Sequence, residues 1–181
     1  NSALIKIFDE IDIKKNKKNK VIFEGEFKKG VNNKKNSILD TLTILKKNRI
    51  INDCYKVSVK KNIPVFAGLG GGTSNSVSIV KYFYKKKLKE KMINKFEKKI
   101  GSDFRLFLSN LSFQKKYKKV NELKINFKTY IVLVFPRLTF ATKKIYKLVS
   151  AFSGRSKNQY LKNNSKQYYK NIINERNDLQ M

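Results

Sequence analysis

PVFAGLGGGTSNSVS, residues 64–78, is the stretch on which the reading of this chain turns. The chain has eight glycines, and four of them, Gly68, Gly70, Gly71 and Gly72, fall within five residues here. Glycine loses more conformational freedom on folding than any other residue. A cluster therefore needs a reason: sharp turns at positive φ, or close approach of the backbone to something. Before the cluster come the alternating YKVSVK (55–60) and Pro64; after it come Thr73, Ser74 and Asn75, then Val77, Val80, Tyr84 and Leu88 on one helical stripe. The order predicts a strand, a loop and an amphipathic helix capped by the T-S-N side chains. Successive backbone N–H groups in a glycine run, added to those of a helix start, make an anion-binding concavity. Phosphate is its natural occupant.

Three well-known phosphate loops do not fit. A G-x-x-x-x-G-K-S/T loop needs a Lys that is absent here until Lys81, deep in the helix. A dinucleotide G-x-G-x-x-G loop would place its third glycine at Thr73. A protein-kinase loop runs on into a strand, whereas this one enters a helix.

The remaining sequence bounds the class of protein. At 181 residues, 40% hydrophobic and 12% aromatic, the chain can build a core. One cysteine, Cys54, excludes a disulfide framework, and the absence of His argues against a zinc site. No apolar run reaches membrane-spanning length and no leader pattern opens the sequence, so a soluble cytoplasmic protein is the expectation. The formal charge of +29 suggests a polyanion partner. Yet only five of the 42 basic residues are Arg, the residue best suited to phosphate and base contacts, and the lysines are dispersed among Asn and Ile. Compositional drift explains the charge better than a dedicated nucleic-acid surface does.

Alternation predicts antiparallel strands over LIKIFDEIDI (4–13) and VIFEGEF (21–27), joined by a Lys/Asn turn at 14–20. Helical spacing of Ile38, Leu42 and Leu45 behind Asn36 and Ser37 predicts a helix over 36–47, and a further helix is expected over 89–99. GSD (101–103) breaks that helix ahead of the short apolar FRLFL. TYIVLVFP (129–136) reads as a buried strand, followed by a helix from Thr142 to about Phe152, a polar loop over 153–167 and a last helical segment toward Asn177. The fold class is α+β.

The glycine stretch resembles the P-x-x-x-GLGGGSSNAA loop of the GHMP kinase superfamily. Its triple glycine is in the form typical of the branch that phosphorylates the 2-hydroxyl of 4-diphosphocytidyl-2-C-methyl-D-erythritol with ATP in non-mevalonate isoprenoid biosynthesis. Other stretches follow in family order. IGSDFRLFL (100–108) is similar to L-G-A/S-D-V-P-F-F-L, FPRLTFATKKIY (135–146) to P-x-x-x-x-x-T-x-x-V-Y, and NDLQ (177–180) to N-D-L-E. LIKIFDEIDI is similar to strands near the start of the family's N-terminal domain. The resemblance implies a GHMP N-terminal domain built on a left-handed βαβ unit over 1–140, lacking its first strands, and the start of the C-terminal α/β domain over 141–181. It implies that the backbone of Pro64, Val65, Phe66, Ala67, Gly68, Leu69, Gly70, Gly71, Gly72, Thr73 and Ser74 wraps the ATP phosphates. The hydroxyls of Thr73 and Ser74 would reach phosphate oxygens or a Mg2+ ion. By the same resemblance Asp103 is the catalytic aspartate, Asn36 and Lys61 lie near the nucleoside, and Thr142 is on the substrate side.

Departures are visible. Phe104 and Arg105 stand where the family has V-P, and FQKKYKKVNEL (113–123) lacks the glycines expected there. The family's opening P-A-K-x-N and G-Y-H segments and its second glycine loop are not in this sequence. An internal fragment, inactive by itself, is therefore the expectation, with the lysine partner of Asp103 upstream. Three other readings stay open: another GHMP small-alcohol kinase, a diverged non-catalytic relative, and a basic nucleic-acid-binding domain sharing the βαβ unit. The last predicts aromatics among basic residues on an exposed sheet face, whereas the tyrosines here fall mainly on predicted helices and strand ends.

Overall fold

The computed structural model describes residues 2–116, 118–125, 129–135 and 164–174. In chain order its elements are β1 (Ser2–Ala3), β2 (Glu10–Asn16), β3 (Lys20–Glu24), α1 (Ser37–Lys47), β4 (Cys54–Lys60), α2 (Gly71–Phe83), α3 (Glu90–Ile100), a 3-10 segment (Ser102–Leu108), β5 (Leu111–Lys116), β6 (Lys119–Glu122) and α4 (Ser165–Ile173). They fall into two compact units: Ile5–Leu108, and Asn1–Leu4 with Ser109–Met181. The class is α+β, as the alternation of patterns predicted. Among the described residues no helix is long and apolar enough to cross a membrane.

In the unit Ile5–Leu108 the sheet order is β2-β4-β3. β4 is antiparallel to β2, from Glu10 opposite Lys60 to Asn16 opposite Cys54, and parallel to β3, from Lys20 opposite Lys56 to Glu24 opposite Lys60. This corrects the expected N-terminal hairpin. β2 and β3 do follow one another, but each pairs with β4 instead of with its neighbour. β2 also starts later, at Glu10, and runs into the first three residues of the expected turn, to Asn16. β3 ends at Glu24 because Gly25 turns the chain at φ 90, where a Cβ would lie 2.8 Å from the Lys61 carbonyl oxygen.

The alternation of β4 buries Val57 and Val59, and they join α1, α2 and α3 in one core. α1 contributes Ile38, Thr41, Leu42 and Leu45, an i, i+3, i+4, i+7 stripe. Its N-cap is Asn36, whose Oδ1 accepts from the Leu39 N–H at 3.0 Å. α3 and the 3-10 segment complete the core through Phe96 and Phe104, which stack at 4.8 Å between ring centroids. Thirteen side chains of this cluster are buried, enough to fix the strand ends and helix starts that build the site.

In the second unit β1-β5-β6 form a small antiparallel sheet, and Leu111, Leu123 and Tyr168 make its core. The sequence reading passed over the β5–β6 pair, and placed a buried strand at 129–136 instead. Residues 129–135 form no strand, and Tyr130 through Val134 are exposed. The apolar run lacks a pairing partner among the described residues, so its β-propensity goes unused. α4 begins at Ser165, capped by Asn164 Oδ1, inside the stretch expected to be a loop. The helix expected from Thr142 lies outside the described residues.

Candidate functional site

The glycine run folds as a strand–loop–helix, with the helix capped at Gly70, three residues ahead of Thr73, the first of the hydroxyl side chains expected to cap it. Gly70, at φ 65, is the N-cap, and no side chain caps the helix. The first intrahelical bond from this cap is Ser74 N–H to Gly70 C=O at 2.9 Å. The N–H groups of Gly71, Gly72 and Thr73 therefore have no intrahelical acceptor, and they make up the positive end of the helix dipole. Thr73 and Ser74 lie inside the first turn instead of ahead of it.

Each glycine has its own reason, and most of the reasons are inside the protein. A Cβ on Gly70 would collide with the Phe107 ring, and one on Gly71 would lie 3.1 Å from Ile63 Cγ2 and 3.4 Å from Lys61 Nζ. A Cβ on Gly72 would meet Ser37 Oγ at 3.3 Å, and only at Gly68, at φ 72, would it point into open space. The close approach read from the sequence is thus an approach of protein to protein. A bulky residue at Gly71 would press on Ile63 before it met any ligand.

Beside the start of α2 lies a cavity of about 290 Å³. It is lined by polar groups of Asn75, Lys61 and Asn36, by Gly72, and by the apolar Phe23, Val31, Val65 and Phe66. Two helix starts meet there: Ser37 Oγ, on the first residue of α1, donates to Gly72 C=O in α2 at 3.0 Å. The amide of Asn36 is spent locally, accepting from Leu39 N–H and donating to Asn32 C=O and Asn33 C=O.

Lys61 is not a free cation over the cavity. Its ammonium is buried against Asp9, whose side chain has no exposed surface. Asp9 also accepts from Asn75 Nδ2 at 2.8 Å and from the N–H groups of Asn62 and Ile63 at 2.8 and 2.9 Å. Burial works to raise the Asp9 pKa, but the bonds from Lys61, Ile63, Asn75 and Asn62 outweigh it and hold the carboxyl below its ordinary value. One carboxylate thus ties the end of β4, the entry to the glycine loop and α2 together. Sequence reasoning missed it. Asp9 lies 52 positions from Lys61, and nothing local to FDEIDI marks its first acidic residue as buried.

Asp103 stands exposed near the start of the 3-10 segment, two residues after Gly101, which takes φ 149. A Cβ on Gly101 would lie 4.0 Å from Thr73 Oγ1, so the turn carrying Asp103 runs beside the first turn of α2. Phe107, from the same segment, covers Gly70. Arg105 anchors this segment to α3. Its guanidinium forks onto Glu97 at 2.9 and 3.1 Å and onto Glu90 at 3.0 and 2.6 Å. Glu97 is buried, whereas Glu90 is largely exposed. Arg105→Ala is expected to cost about 3 kcal/mol, the low end for breaking a buried pair, because the Glu90 arm adds little. Urea unfolding measures it. Arg105→Lys should recover only part, since an ammonium cannot fork onto two carboxylates.

Residues 36–107, from the cap of α1 to Phe107, match the family model described as GHMP kinases N terminal domain. The chain carries a GHMP kinase N-terminal domain. The chain is similar to a 4-diphosphocytidyl-2-C-methyl-D-erythritol kinase of Pelagibacter ubique, 32% identical over 158 residues, which are 83% of this chain and 56% of that protein. It is also similar to a protein of that name from Ureaplasma parvum, 32% identical over 143 residues, 72% of this chain and 51% of that protein. The chain spans about half the length of these curated relatives. The GHMP domain match covers the glycine loop, Asn36, Lys61 and Asp103; Thr142 falls beyond it and outside the described residues.

The residues present suit an anionic nucleotide. The first turn of α2 leaves amides without intrahelical acceptors, and the adjoining cavity is lined by both polar and apolar residues. Among the described residues no group of three or more His, Cys, Asp or Glu gathers that could hold a metal ion by itself.

Proposed function

We propose that this chain is part of a cytoplasmic GHMP kinase that phosphorylates 4-diphosphocytidyl-2-C-methyl-D-erythritol with Mg–ATP, as the names of its relatives indicate for those proteins. The observation that carries the reading is the αL-capped glycine run at the start of α2, beside the cavity and inside the GHMP domain match. Bound ATP supplies the γ-phosphoryl group, and Mg2+ would come with it.

The N–H groups of Gly71, Gly72 and Thr73 donate to phosphate oxygens, and the hydroxyls of Thr73 and Ser74 add donors or a metal contact. These groups are fixed before the reaction by the packing of Gly70 on Phe107 and of Gly71 on Ile63, so they act as preorganised charge stabilisation. Lys61 and Asn36 support the site indirectly. Lys61 holds Asp9 against the loop, and Asn36 caps the helix whose Ser37 ties down Gly72. Asp103 takes the proton of the acceptor hydroxyl as its oxygen bonds the γ-phosphorus and the bond to ADP breaks.

The test is ADP release by the full-length protein, with ATP, Mg2+ and the cytidyl-erythritol acceptor. Acceptor-dependent release is expected, with mevalonate and homoserine inert. Turnover with one of those alcohols alone would make this another GHMP kinase. No acceptor-dependent release with any of them would favour a non-catalytic relative.

A further inference from the structure

Phe66 is in the wrong conformation for its residue type and in the wrong place for a core residue. Its φ is 59, the left-handed region that a bulky side chain rarely adopts. The other αL residues of the loop, Gly68 and Gly70, are glycines. The residue is also 67% exposed and is not part of the core, so no core packing offsets the strained backbone. A large aromatic held in strain and left in solvent calls for another partner.

Its position names one. The ring edge lies on Gly30, where a Cβ would come within 3.2 Å of Phe66 Cε2, and Gly30 at φ 91 leaves that space clear. Phe66 and Val65 line the same cavity as Gly72 at the start of α2. At about 290 Å³ the cavity is at the lower limit for ligand pockets, room for a base and part of a sugar but not for a whole nucleotide. A ligand with its phosphates on α2 would turn its base toward Phe66, and an exposed aromatic face is what a base stacks on.

We infer that the Phe66 side chain is the stacking platform for the purine base of the phosphoryl donor, making it a binding and specificity residue of this site. The inference rests on the ATP-binding reading above. The commitment is to the donor base and not to the cytosine of the acceptor, because the cavity is continuous with Gly72 at the helix start.

Phe66→Gly separates stacking from structure. Glycine adopts φ 59 without strain, so the variant should melt no lower than the parent. Calorimetry on the full-length protein should show ATP affinity falling by about 5- to 100-fold. Tripolyphosphate, which has the phosphates without the base, should bind both proteins within about twofold. Phe66→Trp should restore ATP affinity. Unchanged ATP affinity in Phe66→Gly, equal losses for ATP and tripolyphosphate, or a loss confined to the acceptor would each overturn the inference. A parent protein that binds no ATP would sink the proposed function along with it. A parent that binds ATP, with a variant that binds it equally well, would sink the stacking role alone.

Discussion

Asp103→Asn in the full-length protein is expected to lower kcat by about 10²–10⁴, the range for a positioned general base. The amide keeps the size of the carboxylate and cannot accept the proton of the acceptor hydroxyl. The structure predicts that little else will change. Asp103 is exposed, and among the described residues its carboxylate accepts one long hydrogen bond, 3.4 Å from Ser102 Oγ. Folding stability should therefore stay within about 0.5 kcal/mol of the parent, as for most surface substitutions. ATP affinity should be nearly untouched, because the amides of α2 belong to another element. Single-turnover kinetics with saturating ATP and acceptor provide the measurement. A fall of less than tenfold would leave Asp103 as a turn residue that follows Gly101, and would favour the diverged relative.

Arg105 bears on the same experiment. The resemblance sets a proline at its position, and an arginine there reads as a defect in the catalytic segment. The structure gives it a different meaning: four hydrogen bonds to Glu90 and Glu97 hold the 3-10 segment where a proline would have stiffened it. The departure from the pattern thus does not by itself argue for lost activity.

How far the sequence could be read follows from how local each signal is. α1, β4 and α3 are periodic over their whole length and carry caps or breakers at their ends, so they were legible. The glycine run announced a helix start, but not that its tight contacts would be with Phe107, Ile63 and Ser37. Strand pairing is non-local. The alternation in 10–16 and 20–24 shows that both are strands, and cannot show that β4, more than thirty positions later, would insert between them. The run at 129–135 erred in the other direction, since propensity without a pairing partner yields no strand. Within the site, Asp103 and the glycines were accessible through motif order. Asp9 was not, because its importance lies in what it meets after folding.

That contact should also be the most costly one in the domain to break. Asp9→Ala is expected to destabilise the protein by about 3–5 kcal/mol, because it leaves the Lys61 ammonium buried without its carboxylate. It also strips the acceptor from the amides of Asn62 and Ile63 and from Asn75, so the entry to the glycine loop and the second turn of α2 lose their common anchor. Asp9→Asn should recover part of the loss, since its carbonyl oxygen can still accept from the two amides. The double variant Asp9→Asn with Lys61→Met should be more stable than Asp9→Asn alone, because the unpaired charge is gone. Urea unfolding of the parent and the three variants measures these differences. The sign of the pH effect follows from the depressed carboxyl. A folded-state pKa below the unfolded one gives stability that is full above about pH 4 and is lost as pH falls through the folded value. Asp9→Asn should therefore flatten the acid limb of the stability curve relative to the parent. If Asp9→Ala costs less than about 1 kcal/mol, or the acid limbs of parent and variant coincide, then the buried pair does not hold the loop and water reaches Lys61 in solution.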